Sequence, residues 1–499
     1  MLLTNPCTHD TRVMKEAEAL SAAGAEVVVI ALQRGQLPPR ESMGPPGARY
    51  EIHRVEPLRS ALAALDLVRS RWTDVSVHEG GPPLSLPSPV PVSILIPIPV
   101  ATPKAVTTNT APAQPGENPR WTARGGRRLL RAPKQIARLL AARVRTLRRR
   151  AVKAAGRPLF ATVRRFARLF GITTAGTYRP FVRHSRALRP DFVHAHDLST
   201  LPAAAVIARD CGSMLMYDSH ELWLHRNIGN RPRWADQWLW GAIERRLVGR
   251  CAAVFTVADG ICDWLRDQYG IARPILVRNA QPFKQPPQKG RELRDAVGAP
   301  DTDGLCLYAG AITVNRGLET LIDAAPLCSG ARLIIMGYAQ NESYLGSLRA
   351  RADANGSLDR TVHFLPAVPR EAILAWTASA DLSIVPTLGH CLSYRFEASN
   401  KMFHSIMAGV PLVMTDHPEK RRIAEEHGVG VLFPEGDPAA MAAAITDTLA
   451  DRQLMELMRA RCLVAARALN WECESARLLA AYTATIGMGA TGTSSASVD

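Results

Sequence analysis

The sequence predicts an α/β protein made of two doubly wound, Rossmann-like domains that face each other across a cleft. Three observations carry this. The chain has 499 residues, too many for one hydrophobic core. Short apolar strands alternate with helical stretches, which implies parallel sheets covered on both faces. The alternation also stops at an irregular link, Gln281 to Gln288 with its three prolines, and then restarts.

Taken in order, Leu2 to Thr4 reads as a short strand, Asn5 to Asp10 as a polar loop, Arg12 to Ala23 as a helix stopped by Gly24, and Glu26 to Leu32 as a buried strand. So short a first strand leads us to expect a natural start a few residues upstream. The opening Met-Leu-Leu-Thr-Asn-Pro carries no basic leader or cleavage site, and no export is expected. Gly80 to Pro119, rich in Pro, Ser and Thr, reads as an irregular linker. The rhythm resumes with strands at Asp191 to His194, Met214 to Tyr217 and Ala252 to Val257, separated by helices. After the link come strands at Leu305 to Ala309, Arg332 to Met336, Val362 to Phe364, Leu382 to Pro386, Pro411 to Met414 and Gly430 to Phe433. The expected domains are 1–285, carrying a Pro-rich and basic insert at about 75–175, and 286–465. A helix over 466–486 then crosses back to the first domain, and a disordered tail fills 487–499.

Composition narrows the class. An apolar fraction of 47% with 21% charged residues excludes a wholly disordered chain. The most apolar stretch, Val90 to Ala101, is too short to span a bilayer and is broken by Pro91, Pro97 and Pro99. Nine cysteines without a C-x-x-C pair argue for reduced thiols in the cytoplasm and against a disulfide framework or a zinc site. The net charge of +16 is local: Arg120 to Phe170 holds 17 Lys or Arg and no Asp or Glu. Within it Ile136, Leu140, Val144 and Leu147 recur at helical spacing among arginines, which suits an anionic membrane surface. No nucleic-acid motif accompanies that charge, so no nucleic-acid partner is expected. The protein is expected to be cytoplasmic and peripheral at the inner face of the membrane.

Ligands of open α/β sheets bind at the carboxyl ends of the strands, and there the polar residues cluster. One strand runs into His194-Ala195-His196-Asp197. Alternation puts both histidines on one face, with Asp197 in the next loop, either at the cleft or as a helix cap. The next ends in Asp218-Ser219-His220-Glu221, beside Trp223, expected to be exposed. Asp10 and Arg12 sit where the first loop would face the same cleft. In the second domain Gly310 to Gly317 joins a strand to a helix and includes Arg316, a cation suited to a diphosphate; the loop is neither G-x-G-x-x-G nor a Walker A sequence. Gly337 closes the following strand. Asn400 and Lys401 open a short helix that ends at Gly409, where backbone N–H groups, helix dipole and lysine would neutralise a phosphate. Asp301-Thr302-Asp303 has the form of a metal-holding D-x-D motif but precedes a strand, and reads as turn chemistry.

These motifs together resemble a retaining glycosyltransferase of family 4 with the GT-B fold. The resemblance rests on His9-Asp10-Thr11-Arg12-Val13, Asp191 to Asp197, Tyr217 to Glu221, Gly310 to Gly317 and Asn400 to Pro411, and covers most of the chain outside about 75 to 175 and the tail. It implies a nucleotide-sugar donor, a substrate and not a cofactor, bound on the C-terminal domain by Gly310, Arg316, Gly337, Asn400, Lys401 and His404. A glycan or lipid-linked acceptor is implied on the N-terminal domain near Asp10, Arg12, Asp197, His220 and Glu221. His196 is implied as the catalytic histidine facing the transferred sugar. Relatives place a carboxylate where His404 stands and another where Phe396 stands; here that pair is absent, with Glu397 one position away. Without a paired catalytic carboxylate, front-face attack is expected: the leaving diphosphate takes the acceptor proton, and no metal is needed. Two alternatives are a non-catalytic, degenerate transferase acting as a binding protein, and a nucleotide-sugar epimerase on the same fold.

Overall fold

The computed structural model describes residues 1–8, 10–56, 175–227 and 234–492. The Pro-rich and basic insert, with its amphipathic stretches between 120 and 170, lies outside them, as do His9 and residues 493–499.

The N-terminal half is one sheet closed at its centre by the first residues of the chain. On one side β1 (Val28–Leu32) pairs in parallel with β3 (Tyr50–Val55), which pairs antiparallel with the exposed edge strand β2 (Arg40–Met43). On the other side β4 (Phe192–His196), β5 (Met214–Ser219), β6 (Ala253–Thr256) and β7 (Ile275–Leu276) run in parallel order. Leu2 bridges Ile30 and Ala195, joining the two sides. The expected first strand is thus a parallel bridge, held by Leu2 N–H to His194 O (2.8 Å) and Leu3 N–H to Ile30 O (3.0 Å). Sequence reading passed over β2, β3 and β7. The polar edge strand β2 has no apolar alternation to detect, and β7 is only two residues long.

The C-terminal half holds β8 (Gly304–Ala309), β9 (Ala331–Met336), β10 (Val362–Leu365), β11 (Leu382–Val385), β12 (Leu412–Thr415) and β13 (Gly430–Phe433), all parallel, in the order β10-β9-β8-β11-β12-β13. That order reverses between β8 and β11, the point where doubly wound sheets open a crevice for ligands. Alternate residues of β8 feed different cores. Cys306 and Tyr308 pack with Leu318, Leu321 and Ile322 of the Leu318–Ala324 helix, whereas Leu305 and Leu307 pack with Leu293, Ala378 and Val410. Both faces are therefore covered, as an all-parallel sheet requires.

The Trp471–Gly492 helix packs Trp471, Leu478 and Tyr482 into the N-terminal core beside Leu3, Val13, Val29 and Ile52. It extends past residue 486, into the stretch expected as tail. Glycines lower helix propensity there, but unlike proline they keep the N–H that continues the ladder. Because Leu478 is fully buried in this core, Leu478→Ala should cost about 2–5 kcal/mol of stability. Chemical denaturation of the full chain checks this.

Candidate functional site

A cavity of about 580 Å³ opens between the two sets of strand ends. Its N-terminal wall carries Asn5, Asp10, Arg12, His220 and Glu221; its C-terminal wall carries Arg316, Tyr394, Glu397, Ser399 and Asn400. Cys7 (φ 55°), Asp197 (φ 64°) and Asn315 (φ 64°) hold left-handed backbone in the loops beyond Leu2, β4 and β8. Such conformations in non-glycine residues cost of order 1–3 kcal/mol each and concentrate at functional sites.

The N-terminal wall is built on the Thr11–Ala22 helix, capped by Asp10, whose carboxylate accepts from Val13 N–H. This helix turns Arg12, Lys15 and Glu16 inward together with Val13, Ala17 and Leu20. Buried charges persist only when paired. Arg12 Nε donates to Asp218 Oδ2 (2.7 Å) and lies 2.9 Å from Glu16, while its Nη1 donates to Val277 O (2.6 Å). Burial alone would raise the Asp218 carboxyl, but Arg12 and His220 hold it well below its usual range. At Glu16 burial prevails over the opposing Arg12 and, with the nearby Asp218, pushes the carboxyl up to about 8.

Three histidines stack outward from this pair. His194 and His196 lie with ring centroids 4.4 Å apart; His194 Nδ1 is 2.8 Å from Tyr482 Oη, and His196 Nδ1 is 3.1 Å from His220 Nε2. Burial drives His194 down to about 3 and, with His194 and His220 adjacent, holds His196 far below the ordinary imidazole value. His220 behaves oppositely: burial would lower it, but Asp197 and Asp218, 3.8 and 3.2 Å away, raise it to about 10. It therefore carries its proton through neutral pH. Glu16, His194, His196 and Asp218 each bring a ligand-type atom within 4.8 Å of the others; the Arg12 guanidinium already supplies positive charge at that point and makes a divalent cation there unfavourable.

On the C-terminal wall, Ser399 caps the Asn400–Met407 helix by accepting from Lys401 N–H. Lys401 crosses the backbone of Gly310: a Cβ there would lie 2.5 Å from Lys401 Cε. Its Nζ sits 5.1 Å over the Tyr308 ring. Burial and then Arg316 lower Lys401 to about 8. Arg316 Nη1 contacts both oxygens of Glu397 at 3.0 and 3.1 Å, and its guanidinium stacks 4.7 Å over Tyr394.

The cavity thus gathers Asp10, Arg12, His220, Glu221, Arg316 and Asn400 from the residues singled out in the sequence. His196 is not on its surface. It is fully buried one layer beneath His220, because β4 and β5 pair His196 with Asp218 and the residue two positions after Asp218 stands closer to the mouth. Asp197 is not a helix cap either; Thr200 holds that position, and the Asp197 side chain remains partly exposed beside His220. Gly337 has a packing reason, since a Cβ there would lie 1.8 Å from Gly310 O. His404 is half-buried outside the cavity lining, lowered to about 4 by burial and by Lys15, Arg370 and Lys401. Trp223 is half-buried, with Arg226 stacked on it. In the D-x-D stretch Asp301 pairs with Arg291 and Asp303 with Arg332, away from the cavity. Sequence reading missed Glu397 as a partner of Arg316, and it missed Lys420. The lysine is fully buried and donates to Val385 O and Thr415 Oγ1; its only signal was a cation on the inward side of a helix.

A histidine whose folded-state pKa is raised stabilises the fold below its unfolded value and loses that contribution as pH climbs through the folded value. With His220 at about 10 against an ordinary 6.5, stability should decline from about pH 6.5 to 10, and His220→Gln should flatten that decline. Denaturation midpoints across this window check it; an unchanged slope in the variant would refute the assignment.

Comparison with known proteins matches residues 303–451 to the family described as glycosyl transferases group 1 and residues 103–279 to glycosyltransferase family 4. The chain is 29% identical over 193 residues to a D-inositol 3-phosphate glycosyltransferase of Xylanimonas cellulosilytica, covering 38% of this chain and 44% of that protein. It is 28% identical over 172 residues to a phosphatidyl-myo-inositol mannosyltransferase of Mycobacterium leprae, covering 34% and 43%. These matches span less than half the length of either relative. Among solved structures, a sucrose-phosphate synthase from Thermosynechococcus elongatus superposes with a TM-score of 0.62 at 14% identity, covering 98% of both chains. HepE from Anabaena, solved with UDP-glucose, gives 0.51 at 16% identity, covering 61% of this chain and 82% of that one. The fold is that of the GT-B glycosyltransferases. A group 1 match seated on the C-terminal half and a family 4 match running into the N-terminal half support a family 4-like glycosyltransferase.

Proposed function

We propose that the protein is a retaining glycosyltransferase that moves a sugar from a nucleoside-diphosphate donor, held by the C-terminal half, to an acceptor hydroxyl held by the N-terminal half. The observation that carries this is a cavity with Arg316 and a helix N-terminus on one wall and Asp10, His220 and Glu221 on the other. Cations and N–H groups suit a diphosphate, and carboxylates suit sugar or polyol hydroxyls. A cell-envelope glycan or lipid-linked acceptor is supported by relatives named for phosphatidyl-myo-inositol and for amylovoran biosynthesis.

In the proposed course the acceptor oxygen bonds to the anomeric carbon on the face from which the diphosphate departs. The carbon–oxygen bond to phosphate breaks, and the acceptor proton passes to a diphosphate oxygen. Arg316, Lys401 and the N–H groups of the Asn400–Met407 helix stabilise the charge that develops. His220, protonated at neutral pH, donates hydrogen bonds and does not serve as a base, which fits a leaving group that takes the proton itself. His196 holds the His220 ring in place.

Incubation of the full chain with UDP-, GDP- and ADP-sugars and a lipid extract tests the reading. Transfer with retained anomeric configuration is expected; inversion would overturn the front-face course, and binding without transfer would favour a non-catalytic protein. Charge-assisted contacts are worth roughly 1.5–3 kcal/mol, so Arg316→Ala or Lys401→Ala should each weaken nucleotide binding about tenfold or more. His220→Ala should lower transfer by roughly tenfold or more and leave calorimetric nucleotide affinity largely intact. Full affinity in both cation variants would sink the donor assignment.

Membrane attachment is proposed through residues 120–170. Among the described residues no helix is long and apolar enough to cross a bilayer. Deleting 120–170 should abolish co-sedimentation with anionic vesicles, at about 1 kcal/mol per surface cation; equal binding by both forms would remove this role.

A further inference from the structure

We propose that Glu397 is an internal anion that occupies the phosphate place of the empty donor site, and that the donor's diphosphate displaces it. This rests on the donor reading above and adds a step to it. One cation touches this carboxylate and two more act on it through space. Arg316 Nη1 contacts both of its oxygens; Lys401, which crosses Gly310, and Lys420, buried on Val385 O and Thr415 Oγ1, add two further positive charges nearby. Burial would raise the Glu397 carboxyl, yet Arg316, Lys401 and Lys420 together hold it below its usual range. The lysines remain short of negative charge. Burial, then Arg316, takes Lys401 to about 8; burial takes Lys420 to about 7 although Glu397 opposes the fall.

Even with Glu435 also acting on Lys420, three cations leave an excess of positive charge beside a helix N-terminus, and such an excess is costly away from water. A diphosphate would supply the missing charge. Once it is bound, Glu397 is redundant for balance and repelled by the phosphates. Across the cavity stands Glu221, whose carboxyl is raised by burial first, then by Asp197, with Glu397 adding to the rise. It stands in the short connection between the Leu392–Arg395 and Asn400–Met407 helices, where its side chain can turn aside without disturbing a strand. The carboxylate would thus weaken nucleotide binding and, by re-pairing with Arg316, speed departure of the nucleoside-diphosphate product.

The competing role, in which Glu397 stays in place and accepts hydrogen bonds from donor hydroxyls, predicts the opposite effect of neutralising it. Calorimetric titration of the full chain and of Glu397→Gln with UDP, GDP, ADP and inorganic pyrophosphate separates the two. Tighter binding by the variant, about tenfold or more, is expected for both the preferred nucleotide and pyrophosphate. Equal or weaker nucleotide binding by the variant overturns the proposal. Glu397→Asp keeps the charge but is one methylene too short to reach Arg316 as Glu397 does; it should shift affinity in the same direction and serves if the glutamine variant does not fold. Should the native chain and both variants bind neither nucleotide nor pyrophosphate, the donor reading itself fails. That outcome is distinct from native binding that the variants do not improve.

Discussion

The ion pair between Arg12 and Asp218 governs the N-terminal wall. It joins the first turn of the first helix to the end of β5, more than two hundred residues later in the chain, and both groups are almost wholly removed from water. Breaking such a pair by removing one partner costs several kcal/mol, because the remaining charge stays buried. The helix start, the strand end and the loop that follows are therefore fixed together. His220 inherits its position from this arrangement: Asp218 anchors its Nε2 side and Asp197 faces the other nitrogen. Tyr482, from the helix that returns at the end of the chain, meets the same stack through His194.

The two walls differ in charge economy. On the N-terminal side Arg12 and the His220 imidazolium face Asp218 and Asp197, with Asp10 and Glu221 on the same wall, so no cationic excess stands there. On the C-terminal side Arg316, Lys401 and Lys420 act on Glu397, with Glu435 as a second carboxylate near Lys420. A wall rich in carboxylates and without cationic excess suits a neutral, hydroxyl-bearing ligand. A wall in cationic excess suits an anionic one. The proposed placement of acceptor on one side and donor on the other rests on that difference.

Much of the fold was legible because parallel strands buried on both faces are short apolar runs bounded by turn residues, as with Leu305 to Ala309 or Leu382 to Val385. Edge strand β2 lacks that pattern and left no such trace. The site was legible in part. Polar residues beyond strand ends are easy to see, and Asp10, His220, Glu221, Arg316 and Asn400 do meet in one cavity. Depth is not written in the local sequence. His196 and His220 look alike as neighbours of an acidic residue, and only the register of β4 on β5 places one beneath the other. Glu397 was passed over because its importance lies in a contact with Arg316, eighty-one positions away. Lys420 is invisible for a similar reason: nothing nearby in the chain tells that its ammonium points inward to Val385 and Thr415.

The central claim is that one cleft holds the donor phosphates against the C-terminal wall, and a crystal structure of the full chain with its best-binding nucleoside diphosphate tests it most directly. The account predicts density for the diphosphate between Arg316, Lys401 and the start of the Asn400–Met407 helix, with the Glu397 carboxylate turned away from Arg316. A diphosphate bound elsewhere on the protein, or an empty cleft at saturating nucleotide, would contradict it.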